Sequence, residues 1–353
     1  MTELQAPAMT GAERVLAAVR CRPVDRTPVW FMRQAGRALA GYRALREHHE
    51  ILTLTRTPDL CTQVTLLPVS ELGVDAAVMY ADIMLPLLGM GVPFTIDPGV
   101  GPIIHEPVRS AQAIAALRIV AAEEATPDLF AAIRMVRSAL DGRAALIGFA
   151  GGPFTVASYM IEGRPTREFA HCKELLFAHP SLWHRLMETL TEVTVRYLAA
   201  QVAAGAQVIQ LFDSWAGALD TAIYREQVLP YSTRILDSVR AAGVPTIHFA
   251  ANTAHLLEAM SDAGSDVLSI DWRVPIDEAW QRIGPERAIQ GNLDPGVLLA
   301  PFEVVAEHAR NILARAAGRP GHIFNLGHGV LAETPSDHLR RLVELVHAET
   351  ARH

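Results

Sequence analysis

Cysteine is scarce in this chain: three residues in 353, at positions 21, 61 and 172, with no CxxC pair among them. That spacing excludes a disulfide framework and a structural zinc, and it fits a reducing cytoplasm. Met1 to Thr10 has no basic patch followed by an apolar core. It therefore lacks the marks of a secretory signal. We expect residues 1–10 to form a flexible tail ahead of a single domain over 11–353. Long apolar runs are missing too. The longest uncharged stretch, Ala144 to Ile161, is broken by Gly151-Gly152-Pro153 and reads as strand, turn and helix start rather than a membrane span. Lys and Arg total 31 against 38 Asp and Glu, a net charge of -7, so the overall field repels nucleic acid and acidic lipid. No HxxxH or His-x-Cys spacing occurs, which argues against a dedicated transition-metal site. No GxGxxG turn opens the first helix, which weighs against a dinucleotide fold.

What the chain does have is an unusual arginine turn. Pro28-Val29-Trp30-Phe31 is apolar, and Met32-Arg33-Gln34-Ala35-Gly36-Arg37 follows at once. With Arg43 and Arg46, four arginines fall within fourteen residues. Charge delivered at the end of a buried strand is costly unless something anionic binds there. The planar guanidinium fork suits carboxylates and phosphates. In a chain that is acidic overall, this local cluster points to a pocket for a small polyanion.

Eight short runs with few charges read as buried parallel strands: Pro28–Met32, Ala76–Tyr80, Ala145–Phe149, Gln207–Phe212, Pro245–Phe249, Val267–Ile270, Ala288–Gly291 and His322–Asn325. Helical patterns fill the intervals, among them Leu182–Ala203, Tyr224–Ala241 and Phe302–Ala317. Eightfold strand–helix alternation predicts an α/β fold of the (β/α)₈ TIM-barrel type. Phe94-Thr95-Ile96, Asp97-Pro98-Gly99 and Pro102-Ile103-Ile104 predict a β-hairpin inserted after the second strand.

Residues just past the strands of such a barrel line its active face. In chain order they are Arg33, Gln34 and Arg37; Asp82; Gly151 and Gly152, with Tyr159 a turn onward; Asp213 and Ser214; Asn252; Asp271; Asn292 and Asp294; and His328. Plainer roles exist for several. Arg33 and Arg37 could pair with barrel carboxylates such as Asp271, Asp82 could cap a helix, and Tyr159 could be an ordinary helix residue. Ser214 lacks a G-x-S-x-G elbow, so a hydrogen-bonding role fits it better than a nucleophilic one. His328 lies in the glycine-flanked turn Asn325-Leu326-Gly327-His328-Gly329, where backbone can approach a ligand closely.

Together these segments resemble the uroporphyrinogen decarboxylase family. The resemblance is carried by 28–37, by Gly148-Phe149-Ala150-Gly151-Gly152-Pro153-Phe154-Thr155, and by 325–329. Tyr80-Ala81-Asp82-Ile83-Met84 and Leu211-Phe212-Asp213-Ser214 fall in the family's order, and the similarity runs from about Arg14 to about Leu345. It implies a homodimeric (β/α)₈ enzyme with facing clefts. Such an enzyme converts the four acetates of uroporphyrinogen III to methyls, giving coproporphyrinogen III in haem biosynthesis without cofactor or metal. The family's substrate-binding positions fall on Arg33, Gln34, Ala35, Arg37, Arg46, Asp82, Tyr159, Ser214 and His328, and Gly36 belongs to the same turn. Asp82, Arg33, Arg37, Tyr159 and His328 are the candidates for catalysis. The chain departs from the family pattern at Ala38, Ala40 and Gly41, where Tyr, Pro and Glu are usual, and at Ala332, where proline is common.

Two rival readings remain at this stage. A zinc-dependent methyltransferase acting with a corrinoid protein needs a His-x-Cys pair, and none of the three cysteines has a histidine two residues before it. A non-catalytic tetrapyrrole-binding protein would need only the arginines.

Overall fold

The computed structural model describes residues 8–97 and 99–352. Its strands are β1 (Ala76–Val78), β2 (Phe94–Asp97), β3 (Gly101–Ile104), β4 (Ala145–Gly151), β5 (Val208–Phe212), β6 (Thr246–Phe249), β7 (Val267–Ser269), β8 (Ala288–Leu293) and β9 (His322–Leu326). Seven of them form a parallel sheet in the order β1-β4-β5-β6-β7-β8-β9. Each neighbour follows in the chain after a helical crossover, as parallel pairing requires. The strands are short and apolar because both faces are covered; all seven residues of β4 are buried. β2 and β3 make a separate antiparallel ladder, with Phe94 opposite Ile104.

The eighth expected strand is not one. Pro28–Met32 contributes a single bridge, Val29 to Phe324, although it lies between β9 and β1. Phe324 donates to the Pro28 carbonyl at 2.9 Å, and Asp75, beside β1, donates to the Val29 carbonyl at 2.8 Å. Trp30 N–H donates to the Phe324 carbonyl at 3.3 Å, and the other N–H groups turn to side chains: Val29 to Asp75 Oδ2 at 2.8 Å, Phe31 to Gln34 Oε1 at 2.9 Å, and Met32 to Asn325 Oδ1 at 3.1 Å. Side-chain acceptors thus replace a ladder, and this segment closes the barrel by bonding both edges of the sheet. Inside, the Trp30 indole donates to Gln290 Oε1 at 2.9 Å, and Gln290 Nε2 donates to Ser269 Oγ at 2.9 Å. These groups are buried, so the network fixes where the arginine turn begins.

Helices follow the expected intervals with one break. The pattern over Tyr224–Ala241 divides into Thr221–Gln227 and Leu229–Ala241. Pro230 lacks an N–H and its ring would collide with the preceding turn, so it begins a new helix instead. Pro180–Ala204 and Phe302–Ala316 run unbroken. Among the described residues no helix is long and apolar enough to cross a membrane.

Part of the expected tail is anchored. Thr10 caps the helix Gly11–Ala18 through a capping box with Glu13. The Met9 carbonyl accepts from Arg14 Nη2 at 2.6 Å. Residues 1–7 of that tail lie outside the described residues.

Arg14, itself buried, pairs with Asp25 and with Asp75, and Asp75 Oδ2 also accepts from His347 Nε2 at 2.7 Å. Asp75 therefore ties the first helix, the closing segment and the C-terminal helix Ser336–Thr350 together. Removing one partner of a buried pair strands the other's charge. We expect Asp75→Ala to lower unfolding free energy by about 3 kcal/mol or more in urea denaturation. A loss below about 1 kcal/mol would place the closure elsewhere.

Candidate active site

The arginine turn is shaped by its own sequence. Arg33 sits in the left-handed region at φ 59°, and Gln34 N–H closes back to the Phe31 carbonyl at 3.1 Å. The fully buried Gln34 amide spends itself on the scaffold. It accepts from Phe31 N–H and donates to the Ala76 carbonyl at 2.8 Å. The Gln34 side chain pins the turn to β1. Arg33 points outward across Gly329, where a Cβ would fall 2.4 Å from Arg33 Cδ. The glycine after His328 is therefore required by the arginine opposite it.

Asp82 lies in the loop after β1, half-buried, its Oδ1 accepting from Met84 N–H at 2.8 Å. Asp82 does not cap the helix Pro86–Met90, whose N-cap is Leu85; its bond to Met84 closes a local turn and occupies only one oxygen. Burial pushes the Asp82 carboxyl above its ordinary value; the Met84 N–H and the Arg33 charge oppose that shift. Tyr159 lies on the helix Pro153–Glu162 after β4. Burial first, and then the Asp82 charge, push its hydroxyl up to about 12, while Arg33 opposes. His328 follows β9 and is half-buried, edge-on to Phe249 with ring centres 6.0 Å apart. Burial, then Arg33, pulls its imidazole down to about 4, against the pull of Asp271. It is a neutral ring at pH 7.

Arg33 is thus felt by Asp82, Tyr159 and His328 alike, which makes these four one electrostatic neighbourhood. Neither Arg33 nor Arg37 has a carboxylate within ion-pair distance among the described residues. Asp271, the partner weighed for them, is taken by Arg273 at 2.8 Å and by the N–H of Asn252. Arg37 is exposed, and Arg43 Nη1 holds its carbonyl at 2.8 Å. Arg46 is half-buried and donates to the His49 carbonyl. Among the described residues neither Arg37 nor Arg46 makes a hydrogen bond or ion pair with the group of four. Ser214 is half-buried at the end of β5. Ala35 and Gly36 supply backbone at the turn, where a Cβ at Gly36 would fall 2.9 Å from the Arg33 carbonyl.

Other strand-end polar residues do structural work. Asn292 Nδ2 donates to the Asp271 and Val274 carbonyls at 2.9 and 2.7 Å, and Asp294 caps the short helix after β8. Sequence reasoning missed Trp215, whose indole stacks on the Tyr159 ring at 4.1 Å with 29° between planes. Its only signal was adjacency to Ser214. A recess of about 460 Å³ opens at the opposite end of the barrel beside Cys21, Gly264 and Arg287, and contains none of these residues. Among the described residues no group of three or more His, Cys, Asp and Glu side chains is placed to hold a metal ion.

Comparison with known proteins places this chain by similarity along nearly its whole length. The family model described as uroporphyrinogen decarboxylase (URO-D) matches residues 10–349. The chain is 52% identical over 336 residues to a uroporphyrinogen decarboxylase of Sorangium cellulosum, covering 95% of this chain and 96% of that one. It is 50% identical over 332 residues to the Thermus thermophilus uroporphyrinogen decarboxylase, covering 94% and 96%. Among solved structures it is similar to a methyltransferase from Methanosarcina mazei, with TM-score 0.77 over 96% of this chain and 98% of that one. At 20% identity that likeness speaks for the barrel alone. With a match running almost end to end and half the residues shared with such relatives, the chain belongs to the uroporphyrinogen decarboxylase family.

Proposed function

We propose that this chain, as a carboxy-lyase, removes the four acetate carboxyls of uroporphyrinogen III, with Asp82 as the anionic centre of the site. The single observation that carries the reading is a half-buried carboxylate, pushed upward by burial, that feels the charge of Arg33, and Arg33 has no ion-pair partner among the described residues.

A pyrrole acetate loses carbon dioxide only when its electrons have somewhere to go. Protonation of the neighbouring ring carbon makes a cationic, iminium-like ring. The CH₂–carboxyl bond then breaks, carbon dioxide leaves, and the electron pair passes into the ring, leaving an exocyclic methylene. A proton added there makes the methyl, and the ring carbon returns its own. One proton is consumed per carbon dioxide released. The protein must stabilise positive charge at the ring and hold carboxylates at the rim.

Asp82 meets the first need. Its free oxygen faces a poorly solvated space, and the inward pyrrole N–H groups of the substrate supply the donors that favour its ionised form. As the ring becomes cationic the attraction grows, which is transition-state rather than ground-state binding. Arg33, Arg37 and Arg46 meet the second need, holding acetates and propionates. Tyr159 orients Asp82 or the reacting acetate, and Ser214 binds a carboxylate. His328, being neutral, offers a ring N–H and not an imidazolium proton. Residues 11–353 act as one barrel domain in this reading. The homodimer with facing clefts and the cytoplasmic location rest on the family resemblance.

Under anaerobic assay with uroporphyrinogen, Asp82→Asn should slow carbon dioxide release by about 10²–10³-fold. Near-normal turnover would remove Asp82 from its role, and binding without turnover in the unaltered chain would favour a carrier. Arg37→Lys keeps the charge and loses the fork, so KM should rise; an unchanged KM would refute bidentate recognition. Because His328 is neutral above about pH 5, its titration should leave no step in rate between pH 6 and 8. His328→Gln, which keeps an N–H donor, should then retain more activity than His328→Leu. Equal losses would discard the donor role.

A further inference from the structure

The helix that carries Tyr159 has no cap of its own. Its first residues are Gly152, Pro153, Phe154 and Thr155, and Gly152 offers no side-chain acceptor. The acceptor comes from the neighbouring strand. Asp213, fully buried at the end of β5, takes both Thr155 N–H at 2.9 Å and Thr155 Oγ–H at 2.7 Å on the same oxygen, Oδ1. A carboxylate at a helix N-terminus also faces the positive end of the helix dipole. Thr155 Oγ in turn accepts from Trp215 N–H at 3.1 Å, and the Trp215 indole lies against the Tyr159 ring. Phe169 closes on Trp215 edge-on at 5.3 Å.

We propose that Asp213 and Thr155 are positioning residues for the decarboxylation. They lock the Ser214–Trp215 loop to the Tyr159 helix, so that Trp215 sets the Tyr159 ring beside Asp82. The chain runs from Asp213 to Thr155, to Trp215, to Tyr159, and none of its first three members has to touch the reacting acetate.

Two features show that this corner is not built for stability. Asp213 Oδ2 is buried and has no hydrogen-bond partner among the described residues, a costly state for a carboxylate. Gly152 gives up its side chain to admit the acid, since a Cβ there would fall 2.4 Å from Asp213 Cβ and Cγ. Burial pushes the Asp213 carboxyl up to about 6, against the Thr155 hydrogen bonds. The folded chain therefore holds this proton to higher pH than the unfolded chain does. Between the ordinary carboxylate value and about 6, folding stability falls as pH rises, and above pH 6 the folded chain carries the whole penalty.

The inference rests on Tyr159 acting beside Asp82, and the tests separate the two ideas. Thr155→Val removes the hydroxyl and leaves the Thr155 N–H bond to Asp213. It should lower kcat about tenfold with KM within about twofold, as expected when a reacting group is displaced but substrate carboxylates are still held. Thr155→Ser restores the hydroxyl and should recover most of that rate. Asp213→Asn should lower kcat in the same way, while its Tm at pH 8 stays at or above that of the unaltered chain. Should Asp213→Asn give too little folded protein, the Thr155 pair carries the test alone. Thr155→Val with normal kcat, Thr155→Ser as slow as Thr155→Val, or slowing that matches a loss of folded fraction would each overturn the relay. Tyr159→Phe distinguishes the foundation. Normal kcat there overturns the reading of Tyr159 itself, whereas a slow Tyr159→Phe beside a normal Thr155→Val overturns the relay alone.

Discussion

Half-buried Asp82 and exposed Arg33 carry opposite charge at the barrel mouth, yet they do not close into an ion pair. Each feels the other through space, and each keeps donors or acceptors in reserve. For the half-buried carboxylate such an arrangement is costly unless a ligand completes it. A macrocycle with N–H groups at its centre and carboxylates at its rim completes it from both sides. A direct Asp82–Arg33 pair would satisfy both groups and leave the substrate nothing to do. Instead Asp82 Oδ1 accepts from Met84 N–H and Arg33 drapes over Gly329.

The barrel is stiff where it holds these groups. Its closing segment is knit to both sheet edges through side chains, and the Trp30–Gln290–Ser269 network anchors it from inside. The Gln34 amide belongs to the same scaffold, bonded to Phe31 N–H and the Ala76 carbonyl. At the site the balance reverses: Asp213 leaves an oxygen unsatisfied, and His328 is held neutral against its ordinary titration. Buried polar groups that cost the fold and sit at the mouth are the usual mark of a site shaped by function.

Much of this was legible from residue order. Seven of the eight expected strands are strands, because apolar runs bounded by glycine or polar residues leave a buried parallel strand little alternative. Pro28–Met32 failed as a strand for a reason its own composition hides: three of its four N–H groups go to the side chains of Asp75, Gln34 and Asn325, two of them far away in the chain. The helix break at Val228 could have been read from Pro230. Asp82, Tyr159 and His328 were placed at the mouth by their position after strands. Trp215 could not be, since stacking depends on how two crossovers pack.

The sequence by itself determined the barrel and the membership of its family. It also determined which charged and polar types stand at the strand ends, because periodicity and strand ends are local properties of a chain. Only the tertiary structure decided which of those groups remain free for a ligand. Asp271 is consumed by Arg273 and Asn252, and Gln34 by Phe31 and Ala76, while Arg33 and Asp82 are left open. The physical reason is that hydrogen-bond satisfaction is a property of pairs. Those pairs are made across the barrel, between residues whose order along the chain says nothing of their distance.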